Sequence, residues 1–115
     1  MRAQNNFKKG AVEMLLLHIL KEQGDCYGYH FSKLIKELSD DYLTVPEGSL
    51  YPALYKLIEK GYISDYKKPA GKRMTRVYYH LEASGEERLA YLKNEFYETN
   101  RSIEKILDYD FPVES

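Results

Sequence analysis

Apolar positions along the chain fall into six blocks, four with helical spacing and two with alternating spacing. Ala11 to Gln23 carries apolar residues on nearly every side. That predicts a helix covered on more than one face, and in a small domain it points to a partner chain. Gly24-Asp25 ends it. In Tyr27 to Leu38, residues Phe31, Leu34, Ile35 and Leu38 follow the i, i+3, i+4, i+7 rule of one buried stripe, while Lys33, Lys36 and Glu37 lie off it. Ser39-Asp40-Asp41 breaks that pattern. A third helix is expected from Ser49 to Lys60 on the stripe Leu50, Leu54, Leu57 and Ile58. Its start is ambiguous, because Thr44-Val45-Pro46-Glu47 also has capping-box spacing. Ser49 as N-cap would keep Pro52 within the first turn, where a missing N–H is harmless. Gly61 is the stop.

The period then changes. Tyr62 to Lys67 and Met74 to Leu81 are rich in Tyr, Ile and Val and read as two strands. Between them, Lys68-Pro69-Ala70-Gly71-Lys72-Arg73 forms a basic turn, which makes the pair a hairpin with a charged tip. A long helix follows from Ser84 to Asp108, with Ser84-Gly85-Glu86-Glu87 as a possible capping box. Within it Leu89, Leu92, Phe96, Thr99, Ile103 and Ile106 step by 3, 4, 3, 4, 3, an a/d seam with one polar break. The dimer interface is therefore expected at Leu89, Leu92, Phe96, Ile103 and Ile106, with Leu16 from the first helix. The tail from Tyr109 is expected to be loose. Three short helices, a basic hairpin and a long helix define an α+β, mostly helical fold. It is a winged helix-turn-helix over residues 1–82 and a dimerisation helix with its tail over 83–115.

Composition narrows the class. The chain has 115 residues, 43% hydrophobic and 30% charged, which suits one soluble domain with a real core. The polar start Met1 to Asn6 lacks a signal-peptide core, and no apolar run approaches a membrane span. The single Cys26 cannot form an internal disulfide, so a cytoplasmic protein is expected. The net charge of −1 hides a gradient, since residues 1–81 carry a balance of +4 and residues 82–115 one of −5. A basic front and an acidic end would orient the molecule on a polyanion.

The wing is the sharpest chemical signal. Lys67, Lys68, Lys72, Arg73 and Arg76 fall within ten residues that contain no acid. Cations at that density repel one another, and phosphates would relieve the repulsion. The bland alternative is a solvated hairpin tip. On the third helix Ser49, Tyr51, Pro52, Tyr55 and Lys56 lie off the leucine stripe and suit phosphate oxygens. Tyr51 and Tyr55 could equally be half-buried packing residues with wet hydroxyls. Few side chains there suit bidentate base contacts, so phosphate positioning should dominate affinity.

Twelve tyrosines could line a pocket for flat aromatic ligands, or could be amphipathic interface filler. Leu15 and His18 on the first helix, with Tyr91, Phe96 and Tyr97 on the last, are the pocket candidates. His18 also reads as a satisfied core or interface histidine. Cys26, His18 and His30 do not converge with a fourth ligand, so no metal site and no cofactor is expected. There is no Gly-rich phosphate loop, nucleophile elbow or triad, which argues against an enzyme. A winged-helix module that binds protein remains the alternative to a DNA binder.

Four segments resemble the PadR family of transcriptional regulators. They are Gly10-Ala11-Val12-Glu13-Met14-Leu15-Leu16-Leu17, Tyr27-Gly28-Tyr29-His30-Phe31, Gly48 to Leu57 followed by Gly61-Tyr62-Ile63, and Arg76-Val77-Tyr78-Tyr79-His80-Leu81 with Gly85 beyond. A single long C-terminal helix resembles that family's short subgroup. The resemblance implies a homodimeric repressor on a near-palindromic double-stranded operator, released by a small and often aromatic effector. Glu82 stands where the family usually has a capping Thr, so Ser84 is expected to cap the last helix. There is no tryptophan like the one some short members place in a central pocket, and Phe96 or Tyr97 is the nearest substitute.

Overall fold

The computed structural model describes residues 9–113, so the polar start of the chain lies outside it. Its elements are α1 (Lys9–Gln23), β1 (Cys26–Tyr27), α2 (Gly28–Leu38), α3 (Glu47–Glu59), β2 (Ile63–Pro69), β3 (Thr75–Leu81) and α4 (Ala83–Leu107). This is a winged helix-turn-helix followed by one long helix. Among the described residues no helix is long and apolar enough to cross a membrane.

α1 is the central rod. Val12, Leu16, Leu17, Ile19 and Leu20 are buried, and α2, α3, α4 and β3 all pack on them. Its own chain thus covers much of α1, while Met14, Leu15 and His18 stay half-buried. Leu16 is 0% exposed and Leu89 2% exposed, so neither forms an interface between chains as expected from the sequence. The reason is that the first turns of α4 lie across α1. Two ion pairs brace that crossing, Arg88 Nε to Glu13 at 3.1 Å and Lys21 Nζ to Glu86 at 3.0 Å.

The helix starts differ from those expected. α3 begins after Pro46, an extended residue at φ −69°, ψ 159°. The Pro46 carbonyl accepts from the Ser49 and Leu50 amides, each at 2.9 Å. Ser49 is therefore inside the first turn and is not its cap. Pro52 falls in the second turn, where it withholds a donor from the Gly48 carbonyl, and Gly48 is exposed to water. α4 begins after Glu82, which holds the N-cap backbone geometry without a side-chain cap. Its carboxylate accepts from Ser64 Oγ at 2.6 Å, and Ser84 Oγ donates to the Gly61 carbonyl at 2.8 Å. Both side chains that could cap are used to tie α4 to the α3–β2 junction. Gly85 completes this contact, because a Cβ there would run into the Tyr62 carbonyl oxygen.

Between α2 and α3, Asp40 and Asp41 adopt φ values of 54° and 66°. Asp tolerates that left-handed region better than most residues. The Leu43 amide donates to Ser39 Oγ at 2.9 Å, which closes the turn. The sheet is antiparallel with order β1-β3-β2. β1 is too short to show any alternation in sequence. On one face Tyr79 is buried, 6.0 Å from the Phe31 ring. On the other face Tyr78 lies between Tyr27 and Tyr66 in register. From Asn94 to Val113 every residue is exposed, so the second half of α4 projects off the body and the tail from Tyr109 carries no regular structure.

Candidate nucleic-acid interface

Leu50, Leu54 and Leu57 anchor α3 to the core, and this leaves Ser49, Pro52, Tyr55 and Lys56 exposed on its outer side. The two tyrosines divide between the roles left open by the sequence. Tyr51 is half-buried with its hydroxyl end over Gly28, where any Cβ would collide with it. It is a packing residue between α3 and the start of α2. Tyr55 is 62% exposed and belongs to the outer surface. Beneath them, burial and then the nearby Tyr51, Tyr55 and Asp65 push the Tyr79 hydroxyl up to about 12, so it stays protonated at neutral pH.

The wing extends from this body as β2 and β3. Lys67, Lys68, Lys72, Arg73 and Arg76 are all exposed. The turn is closed by the Ala70 amide donating to the Met74 carbonyl at 2.8 Å, and Gly71 sits at φ +93°, where an L side chain is strained. Lys72 and Arg73 occupy the tip. Lys68 and Arg76 are direct cross-strand partners lower down. Arg76 Cζ lies 4.4 Å from the Tyr27 ring centroid and Lys68 Nζ 5.2 Å from that of Tyr78. Four of the five cations therefore form two pairs, Lys72 and Arg73 at the tip and Lys68 and Arg76 held over rings, while Lys67 lies opposite Val77 in neither pair.

Sequence reasoning missed the residues beneath that pair. Asp25, in the loop after α1, accepts from the Tyr66 hydroxyl at 2.7 Å and pairs with His80 Nδ1 at 2.9 Å. Tyr66 stacks on Tyr78 at 5.8 Å, and Tyr78 meets Tyr27 edge-on at 5.5 Å. The alternating tyrosines were a signal, but their partners lie some forty to fifty residues away in the chain.

Within a single chain the five expected effector residues are spread along α1 and α4. Tyr91 lies 5.5 Å from Arg88 and Tyr97 packs edge-on against Phe96 at 5.2 Å. Leu15 and His18 are half-buried on α1. His18 does not behave as a satisfied histidine, because its Nδ1 is buried without a hydrogen-bond partner among the described residues. A cleft of about 470 Å³ lies elsewhere, between the start of α1, α3 and Arg88, and none of these five residues lines it. Cys26 is buried, its Sγ donates to the Gly24 carbonyl at 3.2 Å, and burial with the nearby Asp25 pushes the thiol up to about 11. It is a core residue and an inert one at neutral pH. Among the described residues no group of three or more His, Cys, Asp or Glu could hold a metal ion.

Comparison with known proteins agrees with this geometry. A sequence model of the PadR-like transcriptional regulator family matches residues 16–91. A solved transcriptional regulator from Clostridium thermocellum is 33% identical with a TM-score of 0.78, covering 84% of this chain and 93% of that one. A protein from Streptococcus mutans is 34% identical with a TM-score of 0.77, covering 94% and 96%. A PadR family transcription regulator from Clostridium difficile is 30% identical with a TM-score of 0.72, covering 84% and 97%. No curated protein sequence matches the chain.

Proposed function

The chain belongs to the PadR-like family of transcriptional regulators, and on that premise we propose that it is a cytoplasmic, homodimeric repressor of a near-palindromic operator, released by a small aromatic ligand. The observation that carries this reading is the pairing of an exposed α3 face, Ser49, Pro52, Tyr55 and Lys56, with the exposed cations of the wing. A helix of that size fits a major groove, and cations beyond it suit the adjacent backbone. Residues 1–82 act as the DNA-binding unit and residues 83–115 as the dimerisation helix and tail.

Support for two chains per operator comes from α4. Phe96 is 42% exposed, Ile103 46% and Ile106 67%, and Leu92 continues the same strip at its inner end. A strip of that kind on a projecting helix fits a copy of itself. The ligand is expected where the strips of two chains meet α1, with Leu15, His18, Tyr91, Phe96 and Tyr97 contributing. The unpaired His18 Nδ1 supplies a polar group there that a ligand could satisfy.

Fluorescence titration with the duplex upstream of its own gene, at two salt concentrations and against a scrambled control, tests the reading. Tight, selective binding at two chains per site is the expected result. Absence of binding at low salt would shift the function to a protein-interaction module.

A further inference from the structure

Arg76 differs from the other basic residues of the wing in what it touches. Its guanidinium lies over the ring of Tyr27, which is at once the last residue of β1 and the N-cap of α2. Its cross-strand partner Lys68 lies over Tyr78. Two like charges directly opposite in a sheet repel one another, and here each is drawn to a separate ring face instead. Tyr78, Tyr66 and Asp25 continue the contact from the rings to the loop after α1. From Asp65 onward β2 is exposed, and the inner face of β3 is covered by the body at Val77, Tyr79 and Leu81. The outer face of the hairpin therefore carries its own set of contacts, this ladder of rings and cations, beside the core packing of the inner face.

We propose that Arg76 is a positioning residue, which with Tyr27 fixes the angle of the wing to the helix-turn-helix, and that the phosphate contacts of the wing are made by its tip, Lys72 and Arg73. Arg76 acts through Tyr27 and carries no phosphate contact of its own. The proposal rests on the reading that the wing meets DNA. It differs from that reading in separating the cations of the wing into holders and contacts.

The two roles give different salt dependence, because each phosphate contact that is lost lowers the slope of log affinity against log salt by about one. The test measures affinity and slope for the full chain on its upstream duplex and on a nonspecific duplex at low salt. Lys72→Ala with Arg73→Ala is expected to lower the slope by about two. Arg76→Ala is expected to weaken binding about threefold, the scale of an exposed cation–π contact, with the slope unchanged. Tyr27→Leu should reproduce that loss, and Tyr27→Phe should behave as the unchanged protein. In the Lys72→Ala, Arg73→Ala background neither Arg76→Ala nor Tyr27→Leu should weaken binding further. Thermal unfolding of each variant identifies any that fails to fold, and Tyr27→Leu keeps the test open if Arg76→Ala does. A slope lowered by about one on Arg76→Ala, or losses that add to those of the tip, would overturn the positioning role while leaving the wing on DNA. An unchanged slope in the tip variant would overturn both.

Discussion

The two halves of α4 carry one repeat and use it differently. At its start, Gly85 and Leu89 are buried against the body, and Arg88 and Glu86 reach α1 through ion pairs. From Asn94 onward the same 3-4 spacing places Phe96, Ile103 and Ile106 in the open. A seam read from spacing says that a face is apolar. It does not say which molecule lies across it. That is decided by distance from the body, since a helix rises about 1.5 Å per residue and soon passes beyond its own core.

This contrast can be broken most directly in its first half. Leu89→Ala is expected to cost about 2–5 kcal/mol, the range for a buried Leu truncation. Urea unfolding at low protein concentration reads it. Ile103→Ala should change the stability of the single chain by less than about 0.5 kcal/mol, as for a surface site. Equal losses at the two positions would mean that the halves are not distinct.

Charge in the second half separates the halves from the other side. Phe96→Asp with Ile103→Asp should raise the dimer dissociation constant at least about 100-fold, or roughly 2.7 kcal/mol, measured by sedimentation. The body should stay folded. A dimer that survives both changes would place the interface elsewhere. Gly85→Ala marks the boundary between the halves. Its Cβ would meet backbone, not a movable side chain, and overpacking of this kind costs about 1–3 kcal/mol. Chemical denaturation of the variant measures that loss.

The smallest effect is at the base of the wing. The hydrogen bond that His80 makes to the Asp25 carboxylate holds His80 above its ordinary value of 6.5. The favourable hydrogen bonds from Tyr66 and His80 outweigh burial and hold Asp25 below its ordinary 3.8. A raised histidine contributes stability that is complete below 6.5 and is lost as pH rises through its folded value. A depressed carboxyl contributes above 3.8 and loses that contribution as pH falls. The pair is therefore strongest between about pH 4 and 6.5. It is solvent-exposed, so the change is a few tenths of a kcal/mol. Stability measured from pH 6 to 8 should fall slightly for the unchanged protein and stay flat for His80→Gln.

Much of this molecule could be read in its sequence, for reasons that individual residues show. Phe31, Leu34, Ile35 and Leu38 repeat at helical spacing, and that local rule is enough to place α2, although Leu38 in its last turn is 76% exposed and falls outside the buried stripe. The basic run from Lys67 to Arg76 marks a charged hairpin without any knowledge of the core. The misread points all depended on competition between partners. Ser84 has the chemistry of a cap, yet the Gly61 carbonyl holds its hydroxyl. Ser49 looks like a cap, yet the Pro46 carbonyl begins the helix earlier. Leu16 sits on a helix that looks too apolar for one chain, yet the elements packed on α1 bury it completely.

The sequence by itself determined the order of the four helices and the two wing strands, most of the apolar stripes and the basic wing, because periodicity and charge are properties of neighbours in the chain. Tertiary structure alone decided that Leu16 and Leu89 are core, that Tyr51 packs while Tyr55 faces out, and that Arg76 lies on Tyr27 while Arg73 is free. Each of those depends on which group, distant in sequence, arrives opposite when the chain closes. A side chain with several possible partners takes the one that burial and geometry bring within reach, and no local pattern encodes that choice.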